Sequence, residues 1–357
     1  MLSGLMGIYG RLIPAGIAAL VTLGLAGVPA TAGAATNADA SAAVTIVTLG
    51  TLPGGTYSLA NAINDHGVVA GTADTAGGAE HAVRWSASHA ITDLGTLPGG
   101  TYSEALGINN AGYIVGDGDN AAGDTRALRW SPDGTVTDLG ALPGHPNAYA
   151  VAINDAGVVT GYAPIRAKVF HAVRWSPDGT VTDLGTAPGW TTASSSGAAV
   201  NANGAIAGDS YAVGGPSQAT KWSPAGVATG LTSPNGGSSD ANGISNAGVI
   251  VGQYNVTASQ AHAVRWAASG TPAELGTLPG GNYSSAQAIN NAGVIVGASD
   301  TGAGSFYAVR WTAGGTIVKL GVPSVDTGSW AQAINDSGVI AGYVNPPSGT
   351  SIAALWT

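Results

Sequence analysis

From residue 44 onward, apolar and polar positions alternate in short runs, and no stretch sustains the 3.6-residue period of a helix. His171-Ala-Val-Arg-Trp175 and Val181-Thr-Asp183-Leu-Gly185 read as two strands of a hairpin turning at Asp178-Gly179. Edited versions of this text recur along the chain. Its tryptophan returns at 85, 130, 175, 222, 266, 311 and 356. An Ile-Asn-x-x-Gly element travels with it, starting at Ile63, Ile108, Ile153, Val200, Ile244, Ile289 and Ile334. Two markers repeated seven times at one period predict a repeat architecture.

Each unit predicts four strands. Strand one ends in the Ile-Asn element, and strand two resembles Gly67-Val-Val-Ala-Gly71. Strand three is His81-Ala-Val-Arg-Trp85 and strand four Ile91-Thr-Asp-Leu-Gly95. The chain stops after the third strand of copy seven, and an unmatched fourth strand, 44–50, precedes copy one. Moving one strand from the end to the start is what a closed ring requires, whereas an open solenoid would carry atypical caps. The expected fold is all-β: a seven-bladed β-propeller of four-stranded antiparallel blades over 44–357, closed by the N-terminal strand.

A two-residue turn at Asp133-Gly134 would set Arg129 opposite Asp138. The same count opposes Arg84 to Asp93, Arg174 to Asp183 and Arg265 to Glu274. An opposed ion pair contributes about 0.2–1 kcal/mol, so these residues read as structural pairs. The tryptophans Trp85, Trp130, Trp175, Trp222, Trp266, Trp311 and Trp356 read as core.

Composition changes the picture at the N-terminus. Residues 1–32 carry one charge, Arg11, then an apolar run from Leu12 to Gly27 and the small residues Ala30-Thr31-Ala32, as in a signal peptide. Residues 33–43 read as a flexible linker. The run is short for a membrane span, and without cysteine there is neither a disulfide framework nor a Cys for lipid attachment. The net charge is −9, with 20 Asp plus Glu against 11 Lys plus Arg and no basic run. Nucleic acid and anionic membrane are therefore not expected partners. A secreted, extracytoplasmic monomer is expected.

The triplets His81-Ala82-Val83, His171-Ala172-Val173 and His262-Ala263-Val264, with Leu-Gly-Thr-Leu-Pro-Gly-Gly and Ile-Asn-x-x-Gly around them, resemble the HAF repeats of bacterial extracellular proteins. The resemblance covers 44–357. It implies an extracytoplasmic location and brings no established activity or catalytic residues.

Candidate chemistry lies in loops. The connections from strand four to the next strand one carry Tyr57, Tyr102, Tyr149, Trp190, Tyr283 and Trp330. Rings beside Ser, Thr and Asn suit flat sugar faces; the alternative is packing over the Pro-Gly-Gly turns between blades. The loop from Gly116 to Asp124 offers oxygen ligands but lacks the ordered ligand series of a calcium loop and reads as a solvated acidic turn. His81, His171 and His262 share one position, where Arg126, Gln218, Tyr307 and Ile352 stand in the other copies, and read as strand-start residues. Zinc spacing, a nucleophile elbow and a phosphate loop are absent from the sequence, so no metal and no cofactor is expected.

The first reading is a non-enzymatic secreted binding or interaction module, recognising extracellular polysaccharide through the aromatic loops. The second is a propeller hydrolase or lyase, which needs carboxylates converging from different blades among Asp74, Glu80, Glu104, Asp117, Asp209, Asp240 and Asp300. A structural cell-surface repeat protein is the third.

Overall fold

The computed structural model describes residues 44–190, 193–302, 304–323 and 327–357; the expected signal peptide (1–32) and linker (33–43) lie outside them. Twenty-eight strands, β1–β28 in chain order, form seven four-stranded antiparallel sheets. Blade one pairs β2 (Ser58–Ile63), β3 (Val69–Asp74), β4 (Glu80–Trp85) and β5 (Ile91–Asp93) in that order. Blades two to six repeat this order. In blade seven, β26 (Gly328–Ile334), β27 (Ile340–Asn345) and β28 (Ile352–Trp356) are completed by β1 (Ile46–Thr48), with Ile46 opposite Trp356. The first strands of successive blades touch one another around the ring, and the ring closes between β2 and β26. The molecule is the seven-bladed propeller that the repeat count predicts.

Tryptophan holds the blades together. All seven third-strand indoles are 0–1% exposed. Six of them reach back rather than forward, as Trp130 Nε1 donates to Leu94 O (3.1 Å), Trp222 to Leu184 O (3.0 Å) and Trp356 to Gly321 O (2.8 Å), while Trp85 Nε1 has no partner. One apolar cluster joins Ala70, Ala82 and Leu94 of blade one to Ala105, Ile114, Leu128 and Trp130 of blade two. A large side chain donating its one polar hydrogen across a seam gains burial without leaving an orphaned donor.

The glycine at the centre of strand two is required by close approach. A Cβ on Gly71 would lie 1.9 Å from the Leu59 carbonyl oxygen, and the equivalents Gly116, Gly161, Gly208, Gly252, Gly297 and Gly342 are as tight, at 1.9–2.0 Å. Just past that contact every first strand carries a bulge, so Asn61, Leu106, Val151, Ala198, Asn242, Gln287 and Gln332 are the extra residues. Asn61 and Asn242 use theirs to donate to the next blade, at Ala105 O (2.8 Å) and Ala286 O (2.9 Å).

The expected Arg–acid register is corrected by one residue. Asp138 faces Leu128 and Arg129 faces Thr137; likewise Asp93 faces Val83, Asp183 faces Val173 and Glu274 faces Val264. The loop has three residues, not two. Ser131 N donates to Thr135 O and Gly134 N to Ser131 O, with Gly134 at φ 91°, a turn followed by a bulge-forming glycine. Arg84, Arg129, Arg174 and Arg265 therefore do not pair with these acids. Arg84 and Arg174 donate to the next blade's outer turn, at Pro132 O (2.9 Å) and Pro224 O (2.5 Å). Arg265 points the same way, toward Ala313 O, and Arg129 lies 5.4 Å over the Tyr113 ring.

The acids pair instead with the residue that begins strand three. His81 Nδ1 meets Asp93 at 2.9 Å, Arg126 Nε meets Asp138 at 2.8 Å, His171 Nδ1 meets Asp183 at 2.8 Å and His262 Nδ1 meets Glu274 at 2.6 Å. Where the acid is missing the partner changes with it: the Lys319 ammonium lies 3.1 Å over the Tyr307 ring. These contacts tie the short outer strands of five blades, one, two, three, five and six, to the strand beside them.

Candidate functional site

Each first strand runs from one mouth of the axial channel to the other, so its two ends can be read separately. At the mouth ringed by the turns between strands one and two, the side chains form two hydrogen-bonded circles. Asn64 Nδ2 donates to Asn109 O, Asn109 to Asn154 O, Asn154 to Asn201 O, Asn201 to Ser245 O, Asn290 to Asn335 O and Asn335 to Asn64 O, all at 2.9–3.1 Å. Each amide oxygen also takes the N–H four residues on, as Asn64 does from Val68 (2.9 Å). Six of seven links are present; Ser245 is too short to make the seventh.

One residue further on, side chains accept the backbone N–H of the preceding blade. Asn110 Oδ1 takes Asp65 N–H (2.9 Å), Asp155 Oδ1 takes Asn110 N–H (2.7 Å), and Asp65 Oδ1 takes Asp336 N–H (2.9 Å). The circles border a cavity of about 240 Å³. Its three carboxylates, Asp65, Asp155 and Asp336, each use both oxygens to accept backbone or amide N–H groups. This mouth stitches the ring.

The opposite mouth carries the loops that the sequence marks as aromatic. Asp74, Asp119 and Asp300 end their second strands there and pin these loops. Asp74 Oδ1 accepts Thr56 N–H and Tyr57 N–H at 2.7 Å each, and its Oδ2 accepts the Thr56 hydroxyl. Asp119 does the same for Thr101-Tyr102, and Asp300 Oδ1 accepts the N–H groups of Asn282 and Tyr283. For Asp119, whose carboxyl lies below the usual range, burial acts upward but these hydrogen bonds outweigh it. Asp74, Asp119 and Asp300 are thus loop anchors. The Gly116–Asp124 stretch is divided likewise: Asp117 is 2% exposed on its strand, while Asn120 and Asp124 bond within their own turn. Among the described residues no group of three or more His, Cys, Asp or Glu is placed to hold a metal ion.

The six candidate aromatics do not form one exposed platform; all six are at least partly buried. Trp330, Tyr343 and Leu59 make an apolar cluster with Tyr57, Tyr283 and Phe306 packed on it, across blades six, seven and one. Phe306 lies edge-on to Tyr283 (5.3 Å) and tilted on Trp330 (5.6 Å). Tyr149 stacks on Tyr162 at 4.6 Å in blade three, and Trp190 donates its indole N–H to Gln218 Oε1 (2.9 Å). Tyr102, half-buried, is held through its backbone by Asp119.

Directly beneath this rim lies a layer of cross-strand pairs between strands one and two. Around the ring they are Leu59–Thr72, Glu104–Asp117, Tyr149–Tyr162, Ser196–Asp209, Asp240–Gln253, Ser285–Ala298 and Trp330–Tyr343. Side chains link across the gaps between blades: Tyr283 Oη donates to Gln253 Oε1 (2.8 Å), whose amide approaches Asp240 Oδ2. Ser196 Oγ donates to Asp209 Oδ1 (2.8 Å). Desolvation pushes the Asp209 carboxyl well above the usual range, and the Asp240 charge from the next blade adds to it. Desolvation raises Asp240 as well, against hydrogen bonds from Ser217 and Gln253. Burial also pushes the Tyr283 phenol up to about 12. Asp209 and Asp240 lie in the same layer on the adjacent blades four and five, and the Asp240 charge acts on Asp209. Glu80 begins its third strand opposite Asp74, on the outer side of this layer.

No protein-family model and no curated protein matches the chain. Solved structures do. A puromycin hydrolase, as an S511A mutant complexed with PGG, is 11% identical, with a TM-score of 0.57 over 84% of this chain and 52% of that one. Another structure of puromycin hydrolase is 10% identical, with a TM-score of 0.53 over 84% and 51%. The SapL1 lectin in complex with alpha methyl fucoside is 13% identical, with a TM-score of 0.39 over 84% and 92%. The likeness is one of fold: these are propeller proteins. The chain spans about half the length of the puromycin hydrolases.

Neither the stitched circles nor the divergent layer was foreseen from the sequence. The first had a signal: an Asn or Ser at one place in all seven copies is more regular than a turn demands. The second appears only when the copies are compared column by column for where they differ.

Proposed function

We propose that the chain is an exported, non-enzymatic binding module of the HAF-repeat kind, which takes an extracellular polysaccharide at the mouth lined by Tyr57, Tyr102, Tyr149 and Tyr283. One observation carries the reading. Seven copies that agree in tryptophan and tight glycine, and all but one in the turn asparagine, disagree in one layer, where they offer Leu, Glu, Tyr, Ser, Asp, Ser and Trp on the first strand. A repeated scaffold whose differences concentrate at one mouth is suited to present one asymmetric surface, with rings for sugar faces and hydroxyls, amides and carboxyls for sugar hydroxyls. Pull-down on insoluble polysaccharides tests it. The wild type is expected to bind. A Tyr57→Ala/Tyr102→Ala/Tyr283→Ala variant, checked as folded by its tryptophan fluorescence, is expected to lose at least tenfold. Binding that survives in the folded variant, or no binding to any glycan, would sink the reading. Export is tested by N-terminal sequencing of secreted protein, expected to begin within 30–35.

A second reading rests on the Asp209–Asp240 approach. Two carboxyls sharing a desolvated site can divide acid and base roles in glycoside cleavage. Release of reducing ends from a bound polysaccharide, abolished by Asp209→Asn, would favour it over simple binding.

A further inference from the structure

The layer beneath the rim divides into two unlike arcs. Blades two to five carry its acids, Glu104, Asp117, Asp209 and Asp240. Blades six, seven and one carry rings instead. Phe306 lies 5.3 Å from Tyr283 and 5.6 Å from Trp330, and Tyr343, Leu59 and Tyr57 extend the same uncharged cluster. Tyr57, Tyr283 and Phe306 are only half-buried, so part of each stays open to the mouth.

One polar group under this arc is unused. Tyr57 and Leu59, two residues apart on one extended segment, point to the same face of blade one, and Thr72, directly opposite Leu59, points there too. The Thr72 hydroxyl, on a residue 3% exposed, has no hydrogen-bond partner. At the equivalent place in blade four Asp209 accepts from Ser196, and in blade five Gln253 accepts from Tyr283. A buried hydroxyl left unpaired destabilises the chain that carries it, and this one lies beside the rings. The charges around the arc have one sign. Asp74 and Glu80 face each other across blade one, and Asp300 ends the second strand of blade six. Of the exposed cations toward this mouth, Arg166 and Lys168 belong to blade three, on the far side of the ring, and Lys319 lies over the Tyr307 ring.

We infer that this arc is the sugar-recognising part of the mouth and that it takes a neutral, β-linked pyranose chain with equatorial hydroxyls, stacked on Tyr57, Tyr283 and Phe306 and hydrogen-bonded through one hydroxyl to Thr72. The inference rests on the binding reading above. Equatorial hydroxyls leave both sugar faces to C–H groups, the surface that rings contact best. Asp74 fixes the Tyr57 backbone, so the ring can turn aside to admit a hydroxyl without moving the loop. That hydroxyl gives the buried Thr72 oxygen the partner that the protein does not supply, and the bond is stronger there than in water. A uronic acid of the same shape would bring its carboxylate toward Asp74, Glu80 and Asp300, with repulsion in place of that gain.

The test is calorimetric titration of the full chain at neutral pH with cellotetraose and with the glucuronic acid tetramer of the same linkage, beside thermal melting of each protein alone. Cellotetraose is expected to bind about tenfold tighter than the acidic tetramer. Thr72→Val keeps the side-chain shape and removes the hydroxyl. It should weaken cellotetraose binding about fivefold and raise the melting temperature of the free protein by about 2–4 °C. Thr72→Ser, which restores a hydroxyl, should bind within about twofold of wild type, and Phe306→Ala should lose about tenfold. A Thr72→Val protein that melts below wild type would show that the hydroxyl holds the fold. That result, or wild-type affinity in Thr72→Val or in a folded Phe306→Ala, overturns the inference and leaves the binding reading standing. Equal or tighter binding of the acidic tetramer overturns it too, as does failure of both tetramers while another polysaccharide is retained in the pull-down. If no polysaccharide is retained at all, the binding reading itself falls.

Discussion

The two mouths of the channel are made by the same seven strands and solve opposite problems. At one, Asn64 and its equivalents repeat a single bond around the axis, and side chains that could meet a ligand are used to hold a neighbouring blade. At the other, equivalent positions carry a leucine, a glutamate, a tyrosine, an aspartate and a tryptophan. Uniformity at the first mouth fixes the geometry of the ring. That fixed geometry is what allows the second mouth to vary without losing the fold.

The comparison can be broken most sharply at the stitched mouth. Asn109→Ala removes a donor to Asn154 O and an acceptor for Tyr113 N–H inside a residue 4% exposed. Orphaned buried partners cost about 1–3 kcal/mol each, so urea unfolding should show a loss of about 2–4 kcal/mol. A loss below the usual surface-mutation range would mean the circle contributes nothing.

At the variable mouth the sign reverses. Because the Asp209 carboxyl is raised in the folded state, its contribution to stability is fully present below its unfolded pKa and is lost as pH rises through the folded value. Asp209→Asn should therefore unfold at the same temperature as wild type in acid and at a higher one at neutral pH. Thermal melts across pH measure this, and a variant less stable at neutral pH would refute the sign.

A smaller gain tests the gap in the circle. Ser245→Asn supplies the missing donor toward Asn290 O and should stabilise by about 0.5–1.5 kcal/mol, the net value of one hydrogen bond. The smallest effect lies at the outer strand of blade two. A double-mutant cycle should find coupling of about 0.2–1 kcal/mol between Arg126 and Asp138 and none between Arg129 and Asp138.

The outcome of that cycle is also where sequence reasoning reached its limit. Period, blade count and closing strand were legible because each rests on counting along the chain. The register was not, because Pro132-Asp133-Gly134 can turn with either two or three residues in its loop, and one residue decides whether Arg129 or Leu128 faces Asp138. The aromatic residues could be assigned to a mouth but not to an orientation, since Tyr57 and Trp330 meet only after blades one and seven close on each other. The approach of Asp209 to Asp240 depends on the angle between two blades, which no spacing in the chain encodes.

The closing strand also governs the order in time. Six blades draw all four strands from one continuous stretch of chain, so each can form its hairpins soon after it is made. Blade seven alone needs β1, some three hundred residues from its partner. Loop-closure entropy grows only as the logarithm of length, so this last pairing costs little more free energy than joining segments half as far apart. What it costs is delay: until Thr45 and Thr357 exchange their two backbone bonds, the outer edge of blade seven is open and the seam between blades seven and one is not fastened.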